Sequence, residues 1–159
     1  MTALRAEVVV ASNRAAAGAY DDETGPLIAD FLQRLGFTVS PVVVVADGEP
    51  VGAAIRAAVD GGARLVLTTG GTGLTPTDQT PEQTRGVIER EVPGVAEAIR
   101  AAGAAKGVPT AALSRGLAGL VGACLVVNLP GSRGGVQDGL AVLEPMLLHA
   151  VEQVVGSDH

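Results

Sequence analysis

Asp47 and Asp78, together with the small residues Thr68, Thr69, Gly70, Gly71, Thr72 and Gly73, carry most of the chemistry this sequence offers. The small residues open the segment "TTGGTGLTPTDQTPEQT", directly behind an apolar stretch. Successive glycines bring backbone close to a ligand and aim several N–H groups at one anion, most commonly a phosphate. Two familiar phosphate loops do not fit. A P-loop ends in Lys followed by Ser or Thr, whereas the only lysine here is Lys106, and G-x-G-x-x-G fails because Pro76 stands where the last glycine belongs. The charge of a phosphate is then left to amides, a helix N-terminus or a divalent cation, and a cation needs carboxylates. Asp78 is near the loop in sequence, and Asp47 comes near it in space if the second and third strands lie close together in a sheet. Mg2+ binds through one or two carboxylates plus substrate phosphates, which this pair can offer. A plainer reading stays open. Asp78 stands just before a helix N-terminus, where negative charge is favourable, and Asp47 before Gly48 suits an ordinary turn.

Strand ends and helix starts must hold these residues in place. "EVVVAS" (7–12), "FTVSPVVVV" (37–45), "RLVLTT" (64–69) and "GACLVVNLP" (122–130) read as strands from their β-branched, apolar runs. Between them, "TGPLIADFLQRLGF" has Leu27, Ile28, Phe31, Leu32 and Leu35 on one helical face, with Thr24 as candidate cap and Gly36 as terminator. A second helix runs from Pro50 to about Val59. Thr80, Pro81 and Gln83 make a compact start signal for a third, expected to continue through "RGVIEREV" until Pro93. "GVAEAIRAAGAA" and "VQDGLAVLEPMLLHAVEQVV" are also helical in spacing, the latter kinked or divided at Pro145. Strands separated by helices imply an α/β fold: a three-layer sandwich whose mostly parallel central sheet is covered by helices on both faces. Such sheets place ligands beyond the carboxyl ends of their strands, which selects Ser12, Asp47, the loop at Gly70 and Asn128.

Composition narrows the partners. Residues 1–159 have the length of a single domain with one core, built from Val, Leu, Ile and Ala because aromatics supply only 2% of the chain. A net charge of −6 argues against nucleic acid and anionic membrane as partners, and no apolar stretch approaches a membrane span. No secretory leader pattern opens the chain, so a soluble protein of the reducing cytoplasm is expected, its single cysteine, Cys124, serving as a small core hydrophobe. His149 reads as a packing or interface residue, and "DDE" at 21–23 as a solvated loop before a helix.

Four motifs in order, "TTGGTGLTPTDQTPEQT", "VPGVAEAIR", "PTAALSRG" and "NLPGS", resemble the molybdopterin-binding domain of molybdenum-cofactor biosynthesis, and most of all its molybdopterin adenylyltransferases. The likeness runs from about residue 7 to about residue 155. It implies a homotrimer that takes ATP and molybdopterin, with Mg2+, to adenylylated molybdopterin and pyrophosphate, in possible contact with other cofactor-biosynthesis proteins. Position by position, Asp47 and Asp78 match aspartates that are functional in the family, and we assign them to Mg2+ binding and orientation of the reacting phosphates. Thr69, Gly70, Gly71, Thr72 and Gly73 would cradle phosphate, Asn128, Pro130 and Gly131 would line the nucleotide pocket, and Ser12, Ser114 and Arg115 are candidate pterin or phosphate contacts. Two departures stand out: Ser12, Asn13 and Arg14 replace a common Ser-Asp-Arg, and Thr77 stands where many members have arginine. Arg14, Arg115 or Arg133 are the candidates to supply that lost positive charge. A non-catalytic pterin-binding or assembly module of the same fold is the alternative reading.

Overall fold

The computed structural model describes residues 4–156. In chain order its elements are β1 (Arg5–Ala11), α1 (Asn13–Ala16), α2 (Thr24–Arg34), β2 (Thr38–Val39), β3 (Val43–Val45), α3 (Glu49–Asp60), β4 (Leu65–Thr69), α4 (Thr80–Arg85), β5 (Arg90–Glu91) and α5 (Pro93–Ala105). A 3-10 turn (Pro109–Leu113), β6 (Ala118–Val121), β7 (Cys124–Leu129), α6 (Arg133–Leu143) and α7 (Leu147–Val154) complete it. The strands form one seven-stranded mixed sheet in the order β2-β1-β4-β7-β6-β5, with β3 also paired to β1. Pairings among β1 to β4 and β7 are parallel, whereas β7-β6 and β6-β5 are antiparallel.

Side-chain alternation along the central strands creates a core on each face. Val8, Leu65, Leu67, Leu125, Val127 and Leu129 point into the larger one, against Ile28 and Leu32 of α2, Ile99 of α5, Val136 and Leu140 of α6 and Leu147 and Val151 of α7. Val9, Val66, Cys124 and Val126 face the other way, against Val51, Ile55 and Ala58 of α3. Each such Leu or Ile, once fully buried, contributes about 1.5–3 kcal/mol relative to exposure. Both faces are therefore covered, as expected from the pattern of strands and helices. Burial pushes the thiol of Cys124 up to about 12, in keeping with a core residue. No helix among the described residues is long and apolar enough to cross a membrane.

Several local expectations change. The second strand is two strands, because the register against β1 slips by one residue between Ala6↔Val39 and Val9↔Val43. Pro41, which has no N–H to give a ladder, lies in that interruption. The second and third predicted strands are not neighbours either, since β1 runs between them. The helix predicted through "RGVIEREV" ends at Arg85, and Arg90–Glu91 instead pairs with β6. β6 itself has no sequence signal: Gly119 interrupts its four residues, and Gly116 and Gly122 lie just outside its ends. Gly119 is required there, for a Cβ would lie 2.5 Å from Ile88 Cδ1 and 2.8 Å from the Arg90 carbonyl. Asp22, and not Thr24, caps α2: its Oδ1 accepts from the backbone N–H groups of Thr24 and Gly25, both at 3.2 Å. The final helix is divided at Pro145, between α6 and α7.

Candidate functional site at the glycine loop

Three parallel strands end together, and backbone without side chains lets them do so. Thr69, the last residue of β4, donates its hydroxyl to the carbonyl of Pro130 just past β7 at 2.6 Å. Gly70 adopts φ +90°, and a Cβ there would collide with the Ala11 carbonyl at the end of β1. A Cβ on Gly131 would come within 3.2 Å of Gly70 Cα. Any residue larger than glycine at 70 would force these strand ends apart.

The loop then bends across the start of α4. Gly71 has φ +68°; its Cβ would strike Thr80 Oγ1 and lie 3.0 Å from Asp47 Oδ1. Thr80 N–H donates to the Gly71 carbonyl at 3.1 Å, and Asp47 N–H donates to Asn13 Oδ1 at 2.9 Å. The structure thus brings Asp47 to the loop across β1, although the predicted adjacency of its strand to β4 does not exist. Asp78 Oδ2 accepts from Thr75 N–H at 3.1 Å and lies 2.8 Å from the position of a Cβ on Gly73. Burial, and then the negative charge of Asp78, hold the Asp47 carboxyl above its ordinary value. The two acids therefore lie on the same side of the molecule and feel each other.

Two cavities flank the loop. One, of about 590 Å³, is bordered by Gly71, Thr72, Gly73, Asp78, Ser114, Pro130 and Gly131, with Ile99, Gly103 and Ala111 forming its apolar wall. The other, of about 630 Å³, takes in Ser12, Thr69, Gly70 and Gly131 together with Tyr20, Asp22 and Arg133. Gly131 borders both. Lys106 pairs with Asp138 on the border of the first cavity at 2.8 Å. In the second, Tyr20 Oη lies 2.8 Å from Ser12 Oγ, and the Arg14 guanidinium stacks 5.1 Å from the Tyr20 ring centre.

Three expected site residues lie outside the linings of both cavities. Asn128 borders neither cavity: only 2% exposed, it donates from Nδ2 to Thr68 Oγ1 and Thr84 Oγ1, both at 2.9 Å, and accepts from Leu117 N–H at 3.0 Å. Its side chain pins α4 to the sheet. Arg115 likewise faces the loop backbone, donating from Nε to the Gly73 carbonyl and from Nη2 to the Asp78 carbonyl, each at 2.8 Å. Its Nη1 meets Glu82 at 2.7 Å, a hydrogen bond that holds the Glu82 carboxyl below its ordinary value. Asp47 approaches the loop from behind and borders neither cavity. Sequence reasoning missed Thr80, Asn13 and Tyr20. Thr80 did carry a signal, but one that reads as a helix cap.

The residues fit a divalent cation in kind. Asp47 Oδ1 is shielded from solvent and has no hydrogen-bond partner, so it is an oxygen donor without a proton donor to satisfy it. No group of three or more His, Cys, Asp or Glu able to hold a metal occurs among the described residues, so phosphate oxygens of a bound substrate would have to complete the shell.

A glycine loop at the carboxyl ends of parallel strands, with a cavity on either side and two interacting carboxylates, defines an α/β ligand-binding domain suited to phosphorylated ligands. The chain belongs to the probable molybdopterin-binding domain family, whose pattern matches residues 7–149. It is 42% identical over 156 residues to a molybdenum cofactor biosynthesis bifunctional protein of Synechococcus elongatus, covering 97% of this chain and 48% of that protein. The chain thus spans about half the length of the bifunctional relatives it matches. A Helicobacter pylori molybdopterin adenylyltransferase is 33% identical over 163 residues, covering 99% of this chain and 91% of that one. In three dimensions it superposes with a TM-score of 0.91 on the molybdopterin biosynthesis Mog protein from Mycobacterium ulcerans, at 52% identity and with 96% and 99% of the two chains covered.

Proposed function

We propose that this chain, as one domain over residues 1–159, is a molybdopterin adenylyltransferase that moves AMP from ATP to molybdopterin and releases pyrophosphate. The observation that carries this reading is the pair of cavities meeting at Gly131, one on each side of the glycine loop. Two substrates held there present phosphates to the same stretch of backbone. The pterin's terminal phosphate oxygen attacks the α-phosphorus of ATP, a new P–O bond forms, and the bond to the β-phosphate oxygen breaks. A phosphate nucleophile is already ionised at neutral pH, so no protein base is needed. Bringing two polyanions together is the main obstacle, and orientation with charge neutralisation lowers it.

The site residues divide by position. Gly70, Gly71, Thr72 and Gly73 present backbone amides to phosphate, while Thr69 with Pro130 and Gly131 holds the loop at the strand ends. Ser12 serves one cavity and Ser114 the other, with Arg133 the cation on the second cavity's border. Asn128 and Arg115 act by holding the loop and α4. Asp47 and Asp78 hold Mg2+, which when bound offsets phosphate charge. The enzyme works in the cytoplasm as a homotrimer and contacts other cofactor-biosynthesis proteins, a reading supported by relatives named as bifunctional molybdenum cofactor biosynthesis proteins.

The test is incubation of the purified chain with molybdopterin, Mg2+ and α-labelled ATP, with separation of the pterin. Label on the pterin is the expected result. Binding of molybdopterin without transfer of label identifies a non-catalytic pterin-binding module instead, and a monomer in light scattering removes the trimer.

A further inference from the structure

Two oxygens beside the glycine loop are buried and without a hydrogen-bond partner: Oδ1 of Asp47 and Oγ1 of Thr80. They converge on one place, because a single Cβ added to Gly71 would meet both. Thr80 is wholly buried. A buried hydroxyl left without a partner is costly, and valine would fill the same volume without that cost. Helix capping does not account for the hydroxyl, since α4 begins at Thr80 itself and its cap position, Gln79, makes no side-chain cap bond. The backbone of Thr80 is fixed by its bond to the Gly71 carbonyl, which sets the hydroxyl beside the loop.

We propose that Thr80 Oγ1 is a ligand of the divalent cation, joining Asp47 Oδ1 on one side while Asp78 and nucleotide phosphate oxygens complete the shell. The inference rests on the cation-assisted reading above and adds a residue to it. Magnesium and manganese are hard cations that accept neutral oxygen donors alongside carboxylates. In P-loop proteins a Ser or Thr hydroxyl following the glycines performs this task. Here no hydroxyl follows a lysine at the loop's end, and Thr80, beyond Asp78, folds back to the loop to present one. The hydroxyl donates a lone pair and keeps its proton, so no bond breaks and no charge is lost.

The experiment measures Mn2+ binding to the full chain by the electron paramagnetic resonance of free Mn2+, with an ATP analogue whose α,β-bridging oxygen is replaced by CH2. Wild type is expected to bind Mn2+ with the analogue, Thr80→Ser to bind it comparably, and Thr80→Val to lose about tenfold in affinity. Thr80→Cys is expected to weaken Mn2+ and to gain Cd2+, because a thiolate prefers the softer ion; a purely structural role predicts no such exchange. Circular dichroism establishes folding. A folded Thr80→Val that binds Mn2+ as wild type does overturns the inference, and should Thr80→Val fail to fold, a Thr80→Cys protein with no gain for Cd2+ overturns it. Loss of Mn2+ in Asp47→Asn but not in Thr80→Val removes Thr80 alone and leaves the cation site standing. A wild-type protein that takes no Mn2+ with the analogue removes both.

Discussion

Arg115 reaches Gly73 across the fold: its Nε donates to the Gly73 carbonyl at 2.8 Å, while its backbone N–H donates to the Thr72 carbonyl at the same distance. With the further bonds to Asp78 and Glu82, one side chain holds both ends of the segment that carries the acid. Arg115→Lys keeps the charge but cannot reproduce three donors in fixed directions. Both Arg115→Lys and Arg115→Ala are expected to destabilise the protein, Arg115→Ala by about 1–3 kcal/mol. Steady-state kinetics should show a lower kcat with Arg115→Lys as well as with Arg115→Ala. A lysine variant with unchanged kinetics and melting would mean that charge alone matters.

Asp78→Asn is expected to keep the fold, since the carboxylate makes only the bond to Thr75 N–H, which an amide oxygen can accept. Product formation should fall about 100-fold or more, on the scale of losing one charge-stabilising group in an active site. Labelled-ATP assays on protein of unchanged circular dichroism measure this.

Asp47 gives a prediction about pH. Its ordinary value is 3.8, and burial with the nearby Asp78 raises it in the folded chain. Within the interval between those two values the folded protein holds a proton that the unfolded chain has lost, so stability falls as pH rises through it. Below 3.8 the group is protonated in both states and the difference vanishes. Asp47→Asn should therefore melt higher than wild type at pH 7 without metal, and converge with it near pH 3. Melting curves at both pH values in a chelating buffer check the sign.

Asn128→Ala would leave the hydroxyls of Thr68 and Thr84 and the Leu117 N–H without their bonds to this side chain. A loss of about 2–4 kcal/mol is expected from denaturant unfolding. If Asn128 contacted nucleotide directly, KM for ATP would rise without loss of stability.

Gly70→Ala combines φ +90° with a collision against the Ala11 carbonyl. It is expected to reduce soluble yield and to abolish product. Gly134→Ala, at a position where an added Cβ meets nothing within 4 Å, should do neither.

Long apolar runs made the central strands legible: Val8 to Val10, Leu65 to Leu67 and Leu125 to Val127 announce a sheet buried on both faces, and so the place where ligands gather. The parts that escaped depend on partners distant in the chain. β6 is glycine-broken and exists because β7 and β5 pair with it. The segment after Arg85 has helical propensity, yet it is drawn to the sheet margin by β6. The neighbouring-strand argument for Asp47 is not supported by the topology; the residue reaches the loop because β3 and β4 flank β1 and both stop at its end, Val45 opposite Ala11 and Thr69 opposite Val10. Asn128 stands at a strand end and Arg115 in a family motif, which both point to ligand, yet nothing local in sequence tells a polar group facing a cavity from one facing Thr68 and Thr84 or the loop backbone.

The shared border at Gly131 sets a limit on divergence within this architecture. Gly131 borders both chambers and puts no side chain between them. Even one methyl group would press on Gly70 Cα, so widening that partition requires remodelling the junction of the strands themselves.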